Sequence, residues 1–360
     1  MTVMKKKLNK TTKSNLITYA MVVIVYIIVQ LLVSGGAVSS LMKGLLVPLC
    51  VYSILAVSLN LTVGILGELS LGHAGFMCIG AFTSATFSKL TNGVIQPAGF
   101  RFFLAILVGA VFAGIFGLLI GIPVLRLKGD YLAIVTLAFG EIIKNIVNVI
   151  YLGRDSHGIH FSIKDAASLG MDADGEMIIK GPQGITGTPT DSTFTIGIVL
   201  ILVTLFIVLN LVHSRSGRAI MAIRDNRIAA ESVGINITKY KLMAFTISAA
   251  IAGAGGVLYA HNLSTLTALP ANFGYNMSIM ILVFVVLGGM GSFRGSIIAA
   301  VVLTMLPEVL RGLADYRMLI YAIVLIIMML FNWAPKAIEW REKHSLKRMF
   351  GKKEKAEEVQ

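Results

Sequence analysis

Within an otherwise apolar run, LTVGILGELSLGHAGFMCIGAF (residues 61–82), stand a carboxylate, a hydroxyl and an imidazole: Glu68, Ser70 and His73. Such groups in hydrocarbon surroundings can relay a proton, bind a polar ligand or satisfy one another, because ionisable side chains inside a membrane segment are functional or paired. No second His or Cys stands at ligand spacing from His73, so no metal site is expected. A single His among small residues is more often hydrogen-bonded within its bundle than a relay or a ligand. The same run holds Gly64, Gly67, Gly72, Gly75 and Gly80, each costing a regular helix about 1 kcal/mol relative to alanine. Irregular backbone at membrane depth survives only where it is buried in protein or lines a wet cavity. A second break, GGMGSFRG, carries Gly288, Gly289 and Gly291 late in the chain. One glycine-interrupted segment in each half points to a ligand path between two repeats. Glu141, near the middle of YLAIVTLAFGEIIKNIVNVIY, has Lys144 three residues on, the spacing of a pair on one helix face. A structural ion pair and a place along the path are equally open for it.

These residues need a membrane scaffold. The chain is 56% hydrophobic and 14% charged, against about 45–50% and about 25% in a soluble domain. Several apolar runs reach the roughly 20 residues that cross a bilayer. The expected fold is an all-α polytopic membrane protein of about ten transmembrane helices with glycine-broken segments, arranged as an inverted repeat. The expected spans are Leu16–Val33, Leu45–Val63, Leu69–Lys89, Phe102–Ile122, Tyr131–Tyr151, Phe194–Val212, Leu242–Ala260, Asn276–Leu287, Ser296–Leu310 and Met318–Trp333. The run Leu16–Val33 is long for a signal-peptide core and no A-x-A site follows, so it reads as a span.

The formal net charge is +13, yet 21 of the 31 Lys/Arg sit at span ends: near the N-terminus, at Arg126 and Lys128, between residues 215 and 241, and in the tail. That distribution orients helices and implies no nucleic acid. It assigns residues 1–15 and 334–360 to the cytoplasm as basic termini, 16–333 to the membrane domain, 213–241 to the cytoplasmic side and the net acidic stretch 153–192 to the outside as a solvated loop. Cys50 and Cys78 lie in apolar segments and imply no disulfide framework. Small residues recur four apart at Gly109, Ala113, Gly117 and Gly121, and again at Ala249/Gly253 and Ala252/Gly256/Ala260. Such stripes let helices approach closely, and ordinary internal packing is the reading expected of them.

RSGRAIMAIRDNRIAAESVGINITKYK (215–241) is the one long charged, helix-patterned segment between apolar spans. Ala219, Ile220, Ile223, Ile228, Ala229 and Val233 recur at helical spacing, with Gly234 as a stop. A helix over 218–234 is predicted. Basic amphipathic helices can lie on anionic lipid, but this apolar face is mostly Ala and Ile, with no Trp or Phe to insert. A docking helix for a soluble partner fits better.

SLNLTVGILGELSLGHAGFMCIGAF, LRLKGDYLAIVTLAFGEI, GRAIMAIRDNRIAAESVGINITKYKLMAFTISAAIAGAGGVLYA and VLGGMGSFRG, in this order, resemble the permeases of branched-chain amino-acid ABC importers. The resemblance covers about residues 45–333, and the extra N-terminal span is similar to the M-type subunits of the Liv system. It implies a bacterial plasma-membrane protein with both termini cytoplasmic. The implied partners are a second homologous permease subunit, two cytoplasmic ABC ATPases and an external substrate-binding protein, with no cofactor. The implied substrates are leucine, isoleucine and valine; related permeases carry urea or short amides. By the same resemblance Arg218, Arg224, Asp225, Asn226, Ala229, Ala230 and Gly234 form the ATPase-coupling helix, although Ala229-Ala230-Glu231 before Gly234 is a reordered, incomplete form of the importer motif. The chain has no G-x-x-x-x-G-K-[ST] loop, so ATP hydrolysis is expected in partner subunits and this chain is not an enzyme. An ion-coupled secondary transporter would rest on Glu68 and Glu141 and leave the charged segment unexplained.

Overall fold

A computed structural model describes residues 10–36, 38–127, 129–172 and 175–310, with scattered positions between 316 and 330. Residues 1–9, the tail 334–360 and most of the expected span Met318–Trp333 lie outside the described residues. Met1–Val301 is one compact unit and Val302–Gln360 a second.

The helices are α1 (Lys10–Ser34), α2 (Ser40–Asn60), α3 (His73–Leu90), α4 (Ala98–Val124), α5 (Asp130–Val149), α6 (Phe194–His213), α7 (Arg215–Asp225), α8 (Arg227–Ser232), α9 (Ile237–Ala260), α10 (Pro270–Phe273), α11 (Tyr275–Gly288) and α12 (Phe293–Val309). Many begin where a short polar side chain can satisfy a free N–H. Thr193 accepts from Ile196 N at 3.4 Å, Ser214 from Gly217 N at 3.1 Å and Asn236 from Lys239 N at 3.0 Å.

Among the described residues, seven helical segments are long and apolar enough to cross a membrane, fewer than the ten expected. Two expected spans fall short. The 18-residue α3 starts only at His73, not Leu69, and is diluted by Thr83, Ser84, Thr86, Ser88 and Lys89; the described part of α12 has 17 residues. The second span begins five residues earlier than expected, at Ser40, which puts Pro48 inside α2.

The core is built around α9, which packs against α2, α3 and α4. The small-residue stripes of α4 and α9 face each other. A Cβ on Gly117 would lie 2.5 Å from the Ala249 Cβ, and one on Gly253 would lie 2.3 Å from the Ala113 Cβ and 2.8 Å from the Gly109 carbonyl oxygen. α3 enters the same contact, where a Cβ on Gly80 would come 2.2 Å from the Gly253 carbonyl oxygen. The backbones of Gly80, Gly109 and Gly253 meet there directly.

The stretch 153–192, expected as a solvated loop, is largely structured. β1 (Tyr151–Arg154) pairs antiparallel with β2 (Ile159–Ser162) and β3 (Glu176–Lys180), and β4 (Ile185–Thr186) pairs with β5 (Thr265–Leu266). Strands this short carry too few residues for an alternating pattern to register. Their anchors come from helix ends. Lys89 donates to the Thr186 carbonyl at 2.8 Å and pairs with Glu176 at 2.9 Å, and the buried Arg101 pairs with Asp191 at 3.1 Å.

Asp155 organises the first turn of this sheet. Its carboxylate accepts from the N–H groups of His157 (2.8 Å), Gly158 (3.1 Å) and Asp172 (3.3 Å) and lies 2.9 Å from the His160 ring nitrogen. Asp155, His157 and Asp172 bring possible cation ligands within 4.8 Å of one another, but the Asp155 oxygens are already used by these donors. Desolvation works against the ionised carboxyl, yet the bonds led by the His157 N–H outweigh it and hold Asp155 down to about 2. A depressed carboxyl stabilises the fold above its unfolded value of about 3.9 and loses that contribution as pH falls toward the folded one. Protease nicking of residues 151–180 is therefore expected to rise sharply in Asp155→Ala at neutral pH. An unchanged nicking rate would remove Asp155 as the organising group.

Candidate functional site

The first glycine break forms where α2 passes into a six-residue π-helix, Leu61–Leu66. Gly67 ends it with φ of 79°, a left-handed conformation open to glycine, and the chain runs non-helically to Gly72 before α3 starts at His73. Widened turns of this kind are frequent at functional positions. Gly64, inside this turn, has no room for a side chain. A Cβ on it would lie 1.9 Å from Asn60 Oδ1 and 2.2 Å from the Gly291 nitrogen.

Gly291 belongs to the second break, between the end of α11 at Gly288 and the start of α12 at Phe293. That turn is equally tight, since a Cβ on Gly288 would fall 2.4 Å from the Gly295 carbonyl carbon. Asn60, fully buried, joins the two breaks: Oδ1 accepts from the Gly291 N–H at 2.8 Å and Nδ2 donates to Ser296 Oγ at 2.7 Å. Glycine segments more than 200 residues apart are thus in direct contact, bridged by a side chain that the sequence reading did not single out. Its only signal was an Asn directly before the break, inside an apolar span.

Among the other candidates, Ser70 is fully buried and its hydroxyl has no hydrogen-bond partner. His73 places Nε2 2.9 Å from Ser58 Oγ and 3.5 Å from Ser248 Oγ, while Nδ1 has no partner. Gly72, the N-cap of α3, abuts α5: a Cβ on it would sit 2.5 Å from the Thr136 carbonyl oxygen. Thr136 Oγ1 accepts from Leu71 N at 3.0 Å and Ser278 Oγ from Ala74 N at 3.1 Å, so α5 and α11 both hold the start of α3. Glu141 pairs with Lys144, as its spacing suggests, and also accepts from the Tyr275 N–H at 2.7 Å, capping α11. Gly289 and Gly291 both adopt positive φ.

The charged segment is two helices, not the one predicted over 218–234. Asn226 breaks it, closing α7 and capping α8 by accepting from Ala229 N at 3.0 Å. Gly234, at φ 84°, does stop α8: its N–H bonds Glu231 O at 3.0 Å and the next N–H, of Ile235, bonds Ala230 O at 3.1 Å, the paired closure of a Schellman turn. Ile223, Ala230 and Ile237 form a small buried cluster backed by Ile235. Ala229 and Arg218 are exposed, and Arg218 donates to the His213 carbonyl at 3.3 Å. Ile228 and Val233, 80% and 75% exposed, present apolar surface outward. Arg224 turns inward. It donates to the Gly64 carbonyl oxygen at 2.9 Å and is held by Asp225 at 2.9 Å.

Between α7 and the first break lies a cavity of about 350 Å³, lined by Leu66, Glu68, Asp130, Ile223, Arg224 and Lys241 among others. Glu68 forms an ion pair with Lys241, a residue the sequence reading counted only among the segment's cations.

A family model described as the permease component of branched-chain amino acid transport systems matches residues 41–331. The chain is 35% identical over 303 residues to the high-affinity branched-chain amino acid transport system permease protein LivM of Escherichia coli, covering 80% of this chain and 67% of that protein. It is 24% identical over 257 residues to the LivH permease protein of the same organism, covering 70% and 79%. The fructose import permease protein FruG of Bifidobacterium longum is 24% identical over 298 residues, covering 79% and 80%. No solved structure matches the chain. With the family pattern running through both glycine breaks and the charged segment between them, the chain belongs to the family of permease components of branched-chain amino acid transport systems.

Proposed function

We propose that this chain is the membrane-spanning permease subunit of an ATP-driven importer for leucine, isoleucine and valine. The observation that carries the reading is the family match together with a compact, partly apolar docking segment, α7–α8, set directly under the first glycine break. The LivM relationship supports the substrate class, and the LivH relationship supports a second, homologous permease as partner. With no phosphate-binding loop in the chain, energy arrives from two ATPases that dock on α7–α8 from the cytoplasm. An external binding protein delivers substrate near the 153–192 sheet. The chain crosses a bacterial plasma membrane ten times, as an inverted repeat, with α3 and α12 adding to the seven longer segments, the tenth crossing expected at Met318–Trp333, outside the described residues, and both termini cytoplasmic.

A zwitterionic substrate needs its charges compensated in a low-dielectric path. The start of α3, with the unpartnered Ser70 Oγ and His73 Nδ1, supplies polar groups for its carboxylate, whereas the Gly289 and Gly291 N–H groups are already taken by the Val286 carbonyl and by Asn60. Glu68 and Glu141 are both committed, to Lys241 and to Lys144 with the α11 N-terminus, which disfavours an ion-coupled carrier built on them.

Ile228 and Val233 are the exposed apolar anchors for the ATPase, and the test is a pull-down of the detergent-solubilised complex. Wild type should bring down an ATPase, and Ile228→Glu with Val233→Glu should lose it while the permease still elutes as a folded protein. Equal recovery of the ATPase from both would sink the docking assignment. Transport by the purified chain alone in liposomes would sink the importer reading.

A further inference from the structure

We infer that Arg224 and Asn60 are positioning residues that tie the docking segment to both glycine breaks, so that movement of α7 is delivered to them as one unit. The inference rests on the reading of α7–α8 as the ATPase-docking segment.

Arg224 is not a free surface cation. Nη1 donates to the Gly64 carbonyl at 2.9 Å, while Nε and Nη2 both hold Asp225 Oδ1, at 3.0 and 2.9 Å. Its methylenes lie across the end of the π-helix, where a Cβ on Gly67 would be 2.6 Å from Arg224 Cγ. A guanidinium stays charged and presents a rigid fork of donors, and Asp225 fixes its plane. One of its arms therefore grips a backbone carbonyl in the π-helix that follows α2.

The gripped residue is the one that touches the second break. Gly64 gives its carbonyl to Arg224 and its bare Cα face to Gly291, close enough that a Cβ would lie 2.2 Å from the Gly291 nitrogen and 2.9 Å from its Cα. Asn60 clips the same junction, through Gly291 N–H at 2.8 Å and Ser296 Oγ at 2.7 Å. From α7 to the start of α12 the connection is one side chain, one glycine and one buried amide, each in direct contact with the next.

The element that can take two forms is the π-helix itself. The helix stops at Leu66, so the Gly64 carbonyl is one of its last four and stands free for Arg224, and only an extension of the helix past Gly67 would draw that carbonyl into the ladder. Coupling between distant sites needs such a two-state element rather than mere proximity. Arg224 holds it in the form seen here, and withdrawal of α7 releases it.

The test uses the whole complex in liposomes with its ATPases and binding protein, reading leucine taken up per ATP hydrolysed. Arg224→Met should still co-purify with the ATPases while uptake per ATP falls about tenfold, within the range of ordinary allosteric couplings. Arg224→Lys, which keeps a donor for the Gly64 carbonyl, should recover part of the ratio. Asn60→Leu should lower it similarly, and the double variant should be no worse than the worse single one, because both act through Gly64. A ratio within twofold of wild type in Arg224→Met, or uptake and hydrolysis falling in step, overturns the proposal. If Asn60→Leu fails to assemble, the two Arg224 variants decide alone. Absence of ATP-dependent uptake in wild type would instead remove the permease reading beneath it.

Discussion

Gly253→Leu is expected to prevent the chain from reaching a folded state in the membrane, while Gly44→Leu leaves it intact. Both glycines lie inside long apolar helices, α9 and α2, and leucine is the better helix former in each. Their surroundings decide the outcome. Nothing lies within 4 Å of a Cβ at Gly44, whereas one at Gly253 meets the Ala113 Cβ at 2.3 Å and the Gly109 carbonyl oxygen at 2.8 Å. Neither neighbour can yield, since one is the first atom of a side chain and the other is backbone. Gly80 closes the trap from α3, with its own would-be Cβ 2.2 Å from the Gly253 carbonyl. Forcing extra carbons into a well-packed core costs about 1–3 kcal/mol where side chains can move; here whole helices must part, so the cost exceeds that range. Thermal melting of the detergent-solubilised protein, followed by size-exclusion profile, measures it. A melting temperature for Gly253→Leu equal to that of Gly44→Leu would show that the three backbones are not in register as described.

Why this triple contact was only half legible follows from what a spacing pattern encodes. Gly109, Ala113, Gly117 and Gly121 announce a bare stripe on α4, and Ala249 and Gly253 another on α9, but a stripe carries no address. That these two face one another, with Gly80 of α3 between them, is a property of the folded chain. The Glu141–Lys144 pair was readable because both ends lie on one helix at i, i+3. The second role of Glu141, capping α11 at Tyr275, was not, since its partner lies 134 residues away. The helix break at Asn226 is a local failure of the same kind. Ile223 and Ala230, seven residues apart and both buried, keep helical phase across it, so periodicity reads straight through, while Asn226 signals a cap that hydrophobic spacing does not weigh. The glycine breaks themselves were visible from composition, but their mutual contact depends on Asn60, one polar residue in an apolar helix.

The ion pair between Glu68 and Lys241 supplies the second large effect, and its two halves are expected to behave unequally. The Lys241 side chain is 7% exposed and that of Glu68 15%, both on the wall of the cavity beside α7. Removing the carboxylate in Glu68→Leu leaves an ammonium almost wholly enclosed and without its counter-ion. Breaking a buried pair in this way costs about 3–5 kcal/mol, most of it the penalty on the stranded charge. Removing the cation in Lys241→Met strands the more exposed of the two charges, so the loss should be smaller. The double variant removes both charges and substitutes apolar groups of similar size. Such replacements are often neutral or stabilising, so the double should melt well above Glu68→Leu and close to wild type. Coupling of this kind is read from a double-mutant cycle, and a double variant whose loss equals the sum of the two single losses would mean that the charges do not interact. Function should not follow stability back. The pair joins the non-helical stretch after Gly67 to the first turns of α9, the helix around which the core is built. A double variant that melts like wild type yet takes up little substrate per ATP would separate the two roles, leaving the charges as the tie between the break and the core rather than as a source of net stability.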